Sequence, residues 1–466
     1  MFVTLDREGR NRSHARMMKP RSSAASAPFL ALLVVLCVLP ACAPKTREPI
    51  RDLAVMPQDA GAYHALSADR ELLSPPQQAG LYADFLRRHF EPWEREKAAT
   101  PPEWAFWALE SFRAGKVYGE NTLARDRAWL KRMERLSRPE QYPSMARPAV
   151  TLRATSMRAL PTQEPVFKDF ELAGEGFPFD YNQNSLVPAG TPVHAVHESA
   201  DGRFLLVECR FAFGWVPMRD IAFADREFMR RFRTQSMAAF VRDRVSVRDA
   251  SGIYRFTAGV GTVLPLERFA DSEQLMALVP IRMPSGFAAA VPAPLPEGSA
   301  VPQPLATTPE NFARIGNAMA GRPYGWGGLY ENRDCSALTM DFMTPFGIFL
   351  PRNSGSQASH GDFYPLEDMT AGRKKAFIAN AAVPFLTLVR SPGHIMLYIG
   401  NFEGEPAVLH ATWGIKTERF GKEGRLVVGR AVVTTLSPGE ERRDVPKPLI
   451  ESVQGITFLA PREIRP

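Results

Sequence analysis

The sequence predicts a chain of several domains, in the order helical, β-rich, β-rich and α+β. Apolar residues recur at helical spacing between about residues 50 and 145, and short alternating segments with turn residues replace them from about residue 149. After a run of prolines, Thr308 is expected to cap a new helix, and strands follow it. The length of 466 residues also favours several domains over one.

The N-terminus has the pattern of an export signal. Basic residues precede an apolar run of 11 residues, 29–39, which is too short to span a bilayer. We therefore expect residues 1–41 to be a signal peptide and the mature protein to lie in the cell envelope or periplasm. The stretch Leu39-Pro-Ala-Cys42 is similar to a bacterial lipoprotein processing box, which would make Cys42 a lipid-carrying membrane anchor. Ordinary cleavage around residues 41–43 is the alternative.

The net charge excludes one class of function. The formal net charge is +7, and residues 1–41 hold six basic and two acidic residues, so +4 belongs to the signal and +3 remains. This mild positive charge suits an anionic wall or membrane surface. It is not the dense basic surface of a nucleic-acid-binding protein, so no nucleic-acid partner is expected.

Residues 42–148 are expected to form an N-terminal helical domain. Ser74-Pro-Pro-Gln77 and Thr100-Pro-Pro-Glu103 both match a capping box with proline at the first helical position. A third helix is expected to begin near Thr122. The predicted inner positions of the three helices are Leu81, Phe85, Leu86, Trp104, Trp107, Phe112, Leu123, Leu130 and Met133.

Two β-rich domains are expected at 149–225 and 226–304. In the first, Cys209 alternates with apolar residues and is predicted to be buried in a strand. His194 and His197 lie three residues apart on a predicted strand and would point to opposite faces, which argues against joint metal ligation. In the second, six prolines between residues 284 and 304 are interpreted as a linker.

Cys335 is the cysteine that requires a chemical explanation. Cys37 falls in the signal, Cys42 is a candidate lipid site, and Cys209 fits a strand, so the chain is not a disulfide scaffold. A glycine-rich stretch, 321–328, leads to Asp334-Cys-Ser336 at the start of a predicted helix. A helix N-terminus favours the thiolate and offers N–H groups to an oxyanion. We therefore interpret Cys335 as a nucleophile.

Two histidines complete this interpretation. His394 begins a predicted strand, and His410 lies in the next strand after a turn. If Ile399 pairs with Ala407, both histidines lie on one sheet face as diagonal neighbours, and a slip of one residue separates them. His394 could then take the thiol proton while His410 orients its ring. A zinc site is the alternative, but it usually needs four ligands, so neither a metal nor another cofactor is expected.

These segments together resemble the NlpC-type cell-wall cysteine peptidases. The upstream segments Pro178-Phe-Asp-Tyr-Asn-Gln-Asn-Ser185 and Gly214-Trp215-Val216 resemble bacterial SH3-like wall domains. The matching pieces of the last domain are Pro323-Tyr-Gly-Trp-Gly-Gly328, Asp334-Cys-Ser336, Leu350-Pro-Arg-Asn-Ser-Gly-Ser-Gln357, His394 and Leu409-His-Ala411. The resemblance implies a papain-like α+β catalytic domain at 305–466, preceded by two SH3-like β-barrels and the helical domain.

The resemblance also implies an activity. It is hydrolysis of the bond between γ-D-glutamate and a diamino acid such as diaminopimelate in peptidoglycan stem peptides. Cys335 would be the nucleophile, His394 the base and His410 the orienting residue. Two other functions stay open, a non-catalytic wall-binding lipoprotein and an acyltransferase of the same fold. Intact catalytic residues argue against the first. The protein is expected to be a monomer.

Further site residues follow from the same resemblance. Tyr324 would pack beside the cysteine. The free amino end of the stem peptide would be held by Asp334, Ser336, Asn353 and Ser354. Some family members have aspartate at the position of Asn353, and asparagine offers no charge to an ammonium group. Trp326 is interpreted either as a wall of the substrate groove or as an anchor of the glycine loop, and His360 as a structural or surface residue.

Overall fold

Helices come first along the chain, and two antiparallel β units and an α+β unit follow, as the sequence predicts. The structure is a computed structural model, and it describes residues 50–267 and 274–460. The predicted signal 1–41 and the candidate lipid site Cys42 lie outside these residues. The α-helices of the described part are α1 (Arg51–Val55), α2 (Pro75–Phe90), α3 (Pro102–Ala105), α4 (Trp107–Ala114), α5 (Arg127–Ser137), α6 (Arg226–Phe232), α7 (Pro309–Met319), α8 (Cys335–Met343), α9 (Ser354–Ala358) and α10 (Ala371–Ala381).

The strands build three main sheets. Within the described residues they are β1 (Arg147–Thr151), β2 (Thr155–Arg158), β3 (Gln183–Val187), β4 (Pro192–Glu198), β5 (Phe204–Glu208), β6 (Phe213–Pro217), β7 (Ile221–Phe223), β8 (Met237–Phe240), β9 (Val245–Arg248), β10 (Tyr254–Ala258), β11 (Val263–Glu267), β12 (Met276–Arg282), β13 (Ala288–Pro294), β14 (Ala300–Gln303), β15 (Asp362–Pro365), β16 (Thr387–Ser391), β17 (His394–Phe402), β18 (Glu405–Arg419), β19 (Lys422–Thr435) and β20 (Gly455–Phe458). Among the described residues, no helix is both long and apolar enough to cross a bilayer.

Only one of the two predicted capping boxes is present. The Ser74 N–H donates to Oε1 of Gln77 at 3.0 Å, as the first box requires. The second box is wrong, because α3 has Pro101 as its N-cap and the Thr100 N–H instead donates to the Glu208 carboxylate of the first β unit. A contact with another domain therefore replaces the local cap.

The third predicted helix starts later than the sequence suggested. Asp126 caps α5 by accepting from the Trp129 N–H at 2.7 Å, so the start near Thr122 is wrong. Leu123, predicted to be inside, is 66% exposed, and Trp104 of α3 is 62% exposed. Met133 is buried on α5, as predicted, and Trp129 is buried beside it.

The helical region shares its core with the first β unit. Helices α4 and α5 supply Leu109, Phe112 and Met133, which pack with the fully buried Leu206 and Trp215. The first sheet has the antiparallel order β3-β2-β6-β5-β4-β1-β7. The helices therefore cover one side of this sheet rather than enclosing a core of their own.

The remaining sequence predictions for the first β unit hold in part. Cys209 is buried, as predicted, but it lies one residue past the end of β5. His194 and His197 are both fully buried, with a β-bulge between Ala195 and His197. The Nε2 atom of His197 bonds the Ser137 carbonyl oxygen at 2.9 Å, a structural contact.

The proline-rich segment 284–304 is not a linker, which corrects the sequence prediction. It contains β13 and β14, which occupy the two outer positions of the sheet β13-β12-β11-β8-β14. A small sheet of β9 and β10 completes this second β unit. Proline lacks an N–H, so it is tolerated where a strand has a neighbour on one side only.

The C-terminal sheet has the order β15-β20-β16-β17-β18-β19, with helices on both faces. On one face, Phe312 of α7 and Leu338 of α8 share a core with Ile395, Leu397 and Leu409 of β17 and β18. On the other face, Ile378 of α10 packs in the cluster of β16 to β18 residues. The first turn of α8 is thereby fixed beside the start of β17.

Candidate active site

Cys335 is the first residue of α8, as predicted. The Asp334 side chain caps this helix by accepting from the Ala337 N–H at 2.8 Å. Leu338 and Phe342 are both fully buried on the inner face of the helix, and Pro345 follows its end. Cys335 is 8% exposed and belongs to the core cluster that α7 and α8 share with β17 and β18.

Asp334 is held by a buried ion pair. Its Oδ1 and Oδ2 atoms accept from Nη1 and Nη2 of Arg352 at 3.0 and 2.6 Å, and Oδ2 also accepts from the Gly327 N–H. Burial alone would raise the pKa of Asp334, but the guanidinium outweighs it and the pKa lies below its ordinary value. Asp334 is thus a charged, fully bonded cap.

The residues proposed to hold an amino end have different environments. The Ser336 hydroxyl donates to Asp334 and accepts from Arg352, so both Asp334 and Ser336 already have partners. Asn353 is exposed at the start of α9, and Ser354 is half-buried. An ammonium group reaching Asp334 would therefore have to share that carboxylate with Arg352.

The acidity of the thiol differs from the expectation. Burial, followed by the Asp334 charge, raises the pKa of Cys335 to about 12. The N–H groups of Ile395 and Ser336 favour the thiolate but do not compensate. This direction is opposite to the sequence expectation that the helix N-terminus favours the thiolate, and its largest cause is the burial of Cys335.

The two histidines meet as predicted. His394 Nε2 lies 2.7 Å from His410 Nδ1, and His410 Nε2 lies 3.1 Å from the Thr434 hydroxyl. Burial lowers the pKa of His394 to about 4, with Asp334 opposing it, and lowers the pKa of His410 well below its usual range. Both imidazoles are therefore neutral near pH 7, and Nδ1 of His394 takes no part in the bond between them.

The register between β17 and β18, the strands that carry the two histidines, differs from the prediction at one pair. Leu397 faces Leu409, a register that keeps His394 and His410 on one face of the sheet, as predicted. The predicted pair of Ile399 with Ala407 is wrong, because Gly400 faces Ala407 after a β-bulge. Gly400 has φ +131°, and a Cβ there would lie 1.9 Å from the Tyr63 carbonyl oxygen, so only glycine fits.

The thiol lies beside the histidine pair without a formed bond to it. The Cys335 sulfur interacts with the N–H of Ile395, the residue that follows His394. Among the described residues, no hydrogen bond joins Cys335 to His394. Such contacts are often long before substrate binds, so the missing bond does not argue against proton transfer between the two residues.

The first β unit forms one side of the site. A Cβ on Gly327 would lie 2.4 Å from the Gln183 carbonyl oxygen, and one on Gly328 would lie 2.4 Å from Leu186 Cβ. Gln183 Nε2 also donates to the Gly327 carbonyl oxygen at 2.9 Å, and Arg352 Nε donates to the Ser185 hydroxyl. The glycines before Cys335 therefore permit contact with another domain.

Aromatic rings line the junction. Trp326 contacts Phe179 and Tyr181 of the first β unit at ring distances of 5.3 and 5.6 Å, which favours the anchoring role for Trp326. Tyr324 is half-buried, and burial followed by the charges of Asp334 and Cys335 raises its pKa, consistent with a place beside the cysteine.

A cavity of about 650 Å³ opens on the histidine side of the site. Its walls include Phe179 of the first β unit, His394 at the start of β17, and four residues of the β18–β19 hairpin, His410, Trp413, Lys416 and Arg425. The described residues contain no group of three His, Cys, Asp or Glu side chains placed to hold a metal ion.

Sequence reasoning missed two residues that complete the site. The first is Arg352, which lies inside the segment 350–357. Asp334 at the start of a buried helix needs a cation as partner, and this need was the sequence signal for Arg352. The second is Thr434, which the sequence could not indicate. It lies outside every segment that resembles the cysteine peptidases, and only the fold brings it to His410.

Four stretches of the chain match known domain families. Residues 321–422 match the NlpC/P60 family, and residues 29–142 match the NLPC_P60 stabilising domain, N term. Between them, residues 165–217 match an SH3 domain of SH3b1 type and residues 225–268 one of SH3b2 type. These matches confirm the predicted order of domains.

Individual relatives agree with these matches. A probable endopeptidase of Corynebacterium glutamicum (strain R) is 29% identical over 163 residues, 34% of this chain and 69% of that protein. A γ-D-glutamyl-L-lysine dipeptidyl-peptidase of Bacillus subtilis (strain 168) is 38% identical over 66 residues, 14% of this chain and 22% of that protein.

One solved structure covers most of the fold. An NlpC/P60 endopeptidase from Photobacterium damselae subsp. piscicida superimposes with a TM-score of 0.78 at 23% identity. The match spans 87% of this chain and 98% of that one, so it includes all four units.

Proposed function

On the premise that this chain belongs to the NlpC/P60 family, we propose that it is an exported cysteine endopeptidase of peptidoglycan. It hydrolyses the bond between γ-D-glutamate and a diamino acid such as diaminopimelate. The observation that carries the proposal is the placement of Cys335 at the start of α8 next to the bonded pair of His394 and His410. The names of the two relatives, an endopeptidase and a γ-D-glutamyl-L-lysine dipeptidyl-peptidase, support the reaction class.

The chemistry follows from two neutral groups. As the Cys335 sulfur attacks the γ-carbonyl carbon, the thiol proton passes to Nδ1 of His394, because Nε2 is bonded to His410. The N–H groups at the start of α8 stabilise the oxyanion. The C–N bond then breaks, and His394 returns the proton to the leaving amine. Water, deprotonated by His394, cleaves the thioester and releases the γ-carboxyl product and the free thiol.

The cellular place is part of the same proposal. Membership of a family of cell-wall hydrolases supports export to the envelope. We assign residues 1–41 as the signal and Cys42 as the lipid-carrying residue, which would hold a monomer at a membrane near its substrate. Loss of membrane association in a Cys42→Ser variant, with normal activity of the released protein, is the expected result.

A defined peptide tests the reaction. Purified protein should release diaminopimelate product from L-Ala-γ-D-Glu-diaminopimelate, and Cys335→Ala should abolish turnover. Cys209→Ala, at the other described cysteine, is the matched control and should retain it. Unchanged turnover in Cys335→Ala would remove the proposal, and a folded protein without turnover on any wall peptide would favour wall binding alone. Product analysis with added amine distinguishes hydrolysis from acyl transfer.

A further inference from the structure

Thr434 on β19 lies behind the histidine pair, on the side away from the thiol. It is 1% exposed, and its hydroxyl is 3.1 Å from Nε2 of His410. The same hydroxyl donates to the carbonyl oxygen of Thr435 at 2.8 Å. His410 is 2% exposed, so both partners of this hydrogen bond are buried side chains.

The Thr435 carbonyl decides the direction of the whole chain of hydrogen bonds. A hydroxyl has one proton, and a carbonyl oxygen accepts only, so the Thr434 proton points to Thr435. Toward His410 the hydroxyl then accepts, and His410 carries its proton on Nε2. The Nδ1 atom of His410 is left as an acceptor for the Nε2–H of His394.

This direction matters for the thiol. With its proton on Nε2, neutral His394 has its lone pair on Nδ1, the nitrogen available to the substrate side. The opposite direction, with the hydroxyl donating to His410, would place the His394 proton on Nδ1. That tautomer cannot accept a proton from Cys335.

We propose that Thr434 is a positioning residue that sets the base tautomer of His394 through His410. The inference rests on the proposed function, in which His394 is the base. It extends the Cys/His/His set by a fourth residue that does not touch substrate. The group that acts is the hydroxyl. Serine, which keeps the hydroxyl, should therefore preserve the function, whereas valine, which has the shape of threonine without the hydroxyl, should not.

Kinetics on the tripeptide give the first test. Removing the acceptor of a buried N–H should lower kcat of Thr434→Val about 10- to 100-fold, with KM changed less than about twofold. Thr434→Ser should keep kcat within about threefold of wild type. A Thr434→Val enzyme with kcat within twofold of wild type, or a Thr434→Ser enzyme as slow as Thr434→Val, overturns the inference.

Nitrogen NMR of the histidine rings gives a second test that needs no turnover. Wild-type protein at pH 7 should show a protonated Nε2 and an unprotonated Nδ1 at both His394 and His410. In Thr434→Val, both rings should shift toward a mixture of the Nε2–H and Nδ1–H tautomers. A wild-type His410 protonated on Nδ1 overturns the inference even if the valine variant does not fold. A protein that cleaves no wall peptide but shows these tautomers would refute the proposed function alone.

Discussion

The buried ion pair of Arg352 and Asp334 anchors the start of helix α8, and Arg352→Met tests how much it contributes. The two side chains are 7% and 12% exposed and joined at 2.6 Å. Methionine fills a similar volume but leaves the carboxylate in a low dielectric without its cation. Removing one partner of a buried pair costs about 3–5 kcal/mol.

Calorimetry on the full mature chain can measure this cost. For a unit of about 160 residues, 3–5 kcal/mol corresponds to a fall in Tm of roughly 6–20 °C. Asp334→Asn added to Arg352→Met removes the stranded charge and should recover more than half of the loss. Arg203→Met, at an arginine 80% exposed, is the control and should shift the Tm by less than about 2 °C.

The pair also has a defined pH dependence. The pKa of Asp334 is lowered in the folded protein, so its contribution to stability is present above the unfolded value of about 3.9 and is lost as pH falls through the folded pKa. A fall in Tm below 2 °C for Arg352→Met at pH 7, or a double variant as unstable as the sum of the single variants, would refute this reasoning.

Two further predictions concern the cysteine and the loop before it. With a pKa of about 12, Cys335 should be thiolate at only ~10⁻⁵ at pH 7, so its alkylation by iodoacetamide should rise tenfold per pH unit up to about pH 11. If the alkylation rate instead reached a plateau below pH 7, and Cys335→Ser lacked this reaction, Cys335 would already be a thiolate paired with a protonated His394. That result would contradict the prediction. Gly328→Ala should lower activity at least about tenfold, because its Cβ meets Leu186 at 2.4 Å and φ is +87°. Gly372→Ala, with open space around it, should be neutral, and equal activity of both variants would contradict the close packing.

Local rules were enough to identify the centre of the site. A capping aspartate followed by apolar residues at helical spacing marks the first turn of α8, and this signal is contained within a few residues. The period of two in β17 and β18 placed His394 and His410 on one face, and the bulge at the turn end left that face unchanged. Short-range hydrogen bonding and side-chain periodicity do not depend on the rest of the fold.

Local rules failed where another domain intervenes. The predicted capping box at Thr100 does not form, because the Thr100 N–H donates to Glu208 instead. The segment 284–304 is predicted to be a linker because of its prolines, although it contains two edge strands. Sequence reasoning offered no explanation for Gly327 beyond its glycine-rich stretch, whereas the structure shows a close approach of Gln183. These errors share a cause, since the competing partner lies far away in sequence.

The sequence by itself therefore determined which cysteine and which histidines come together, because helix caps and strand periodicity act between near neighbours. The tertiary structure decided the state in which they meet. Burial and the Asp334 charge raise the pKa of Cys335 to about 12, and burial lowers that of His394 to about 4. Arg352 and Thr434 reach the site from other segments of the chain. Dielectric environment and long-range hydrogen bonds exist only once the chain has folded.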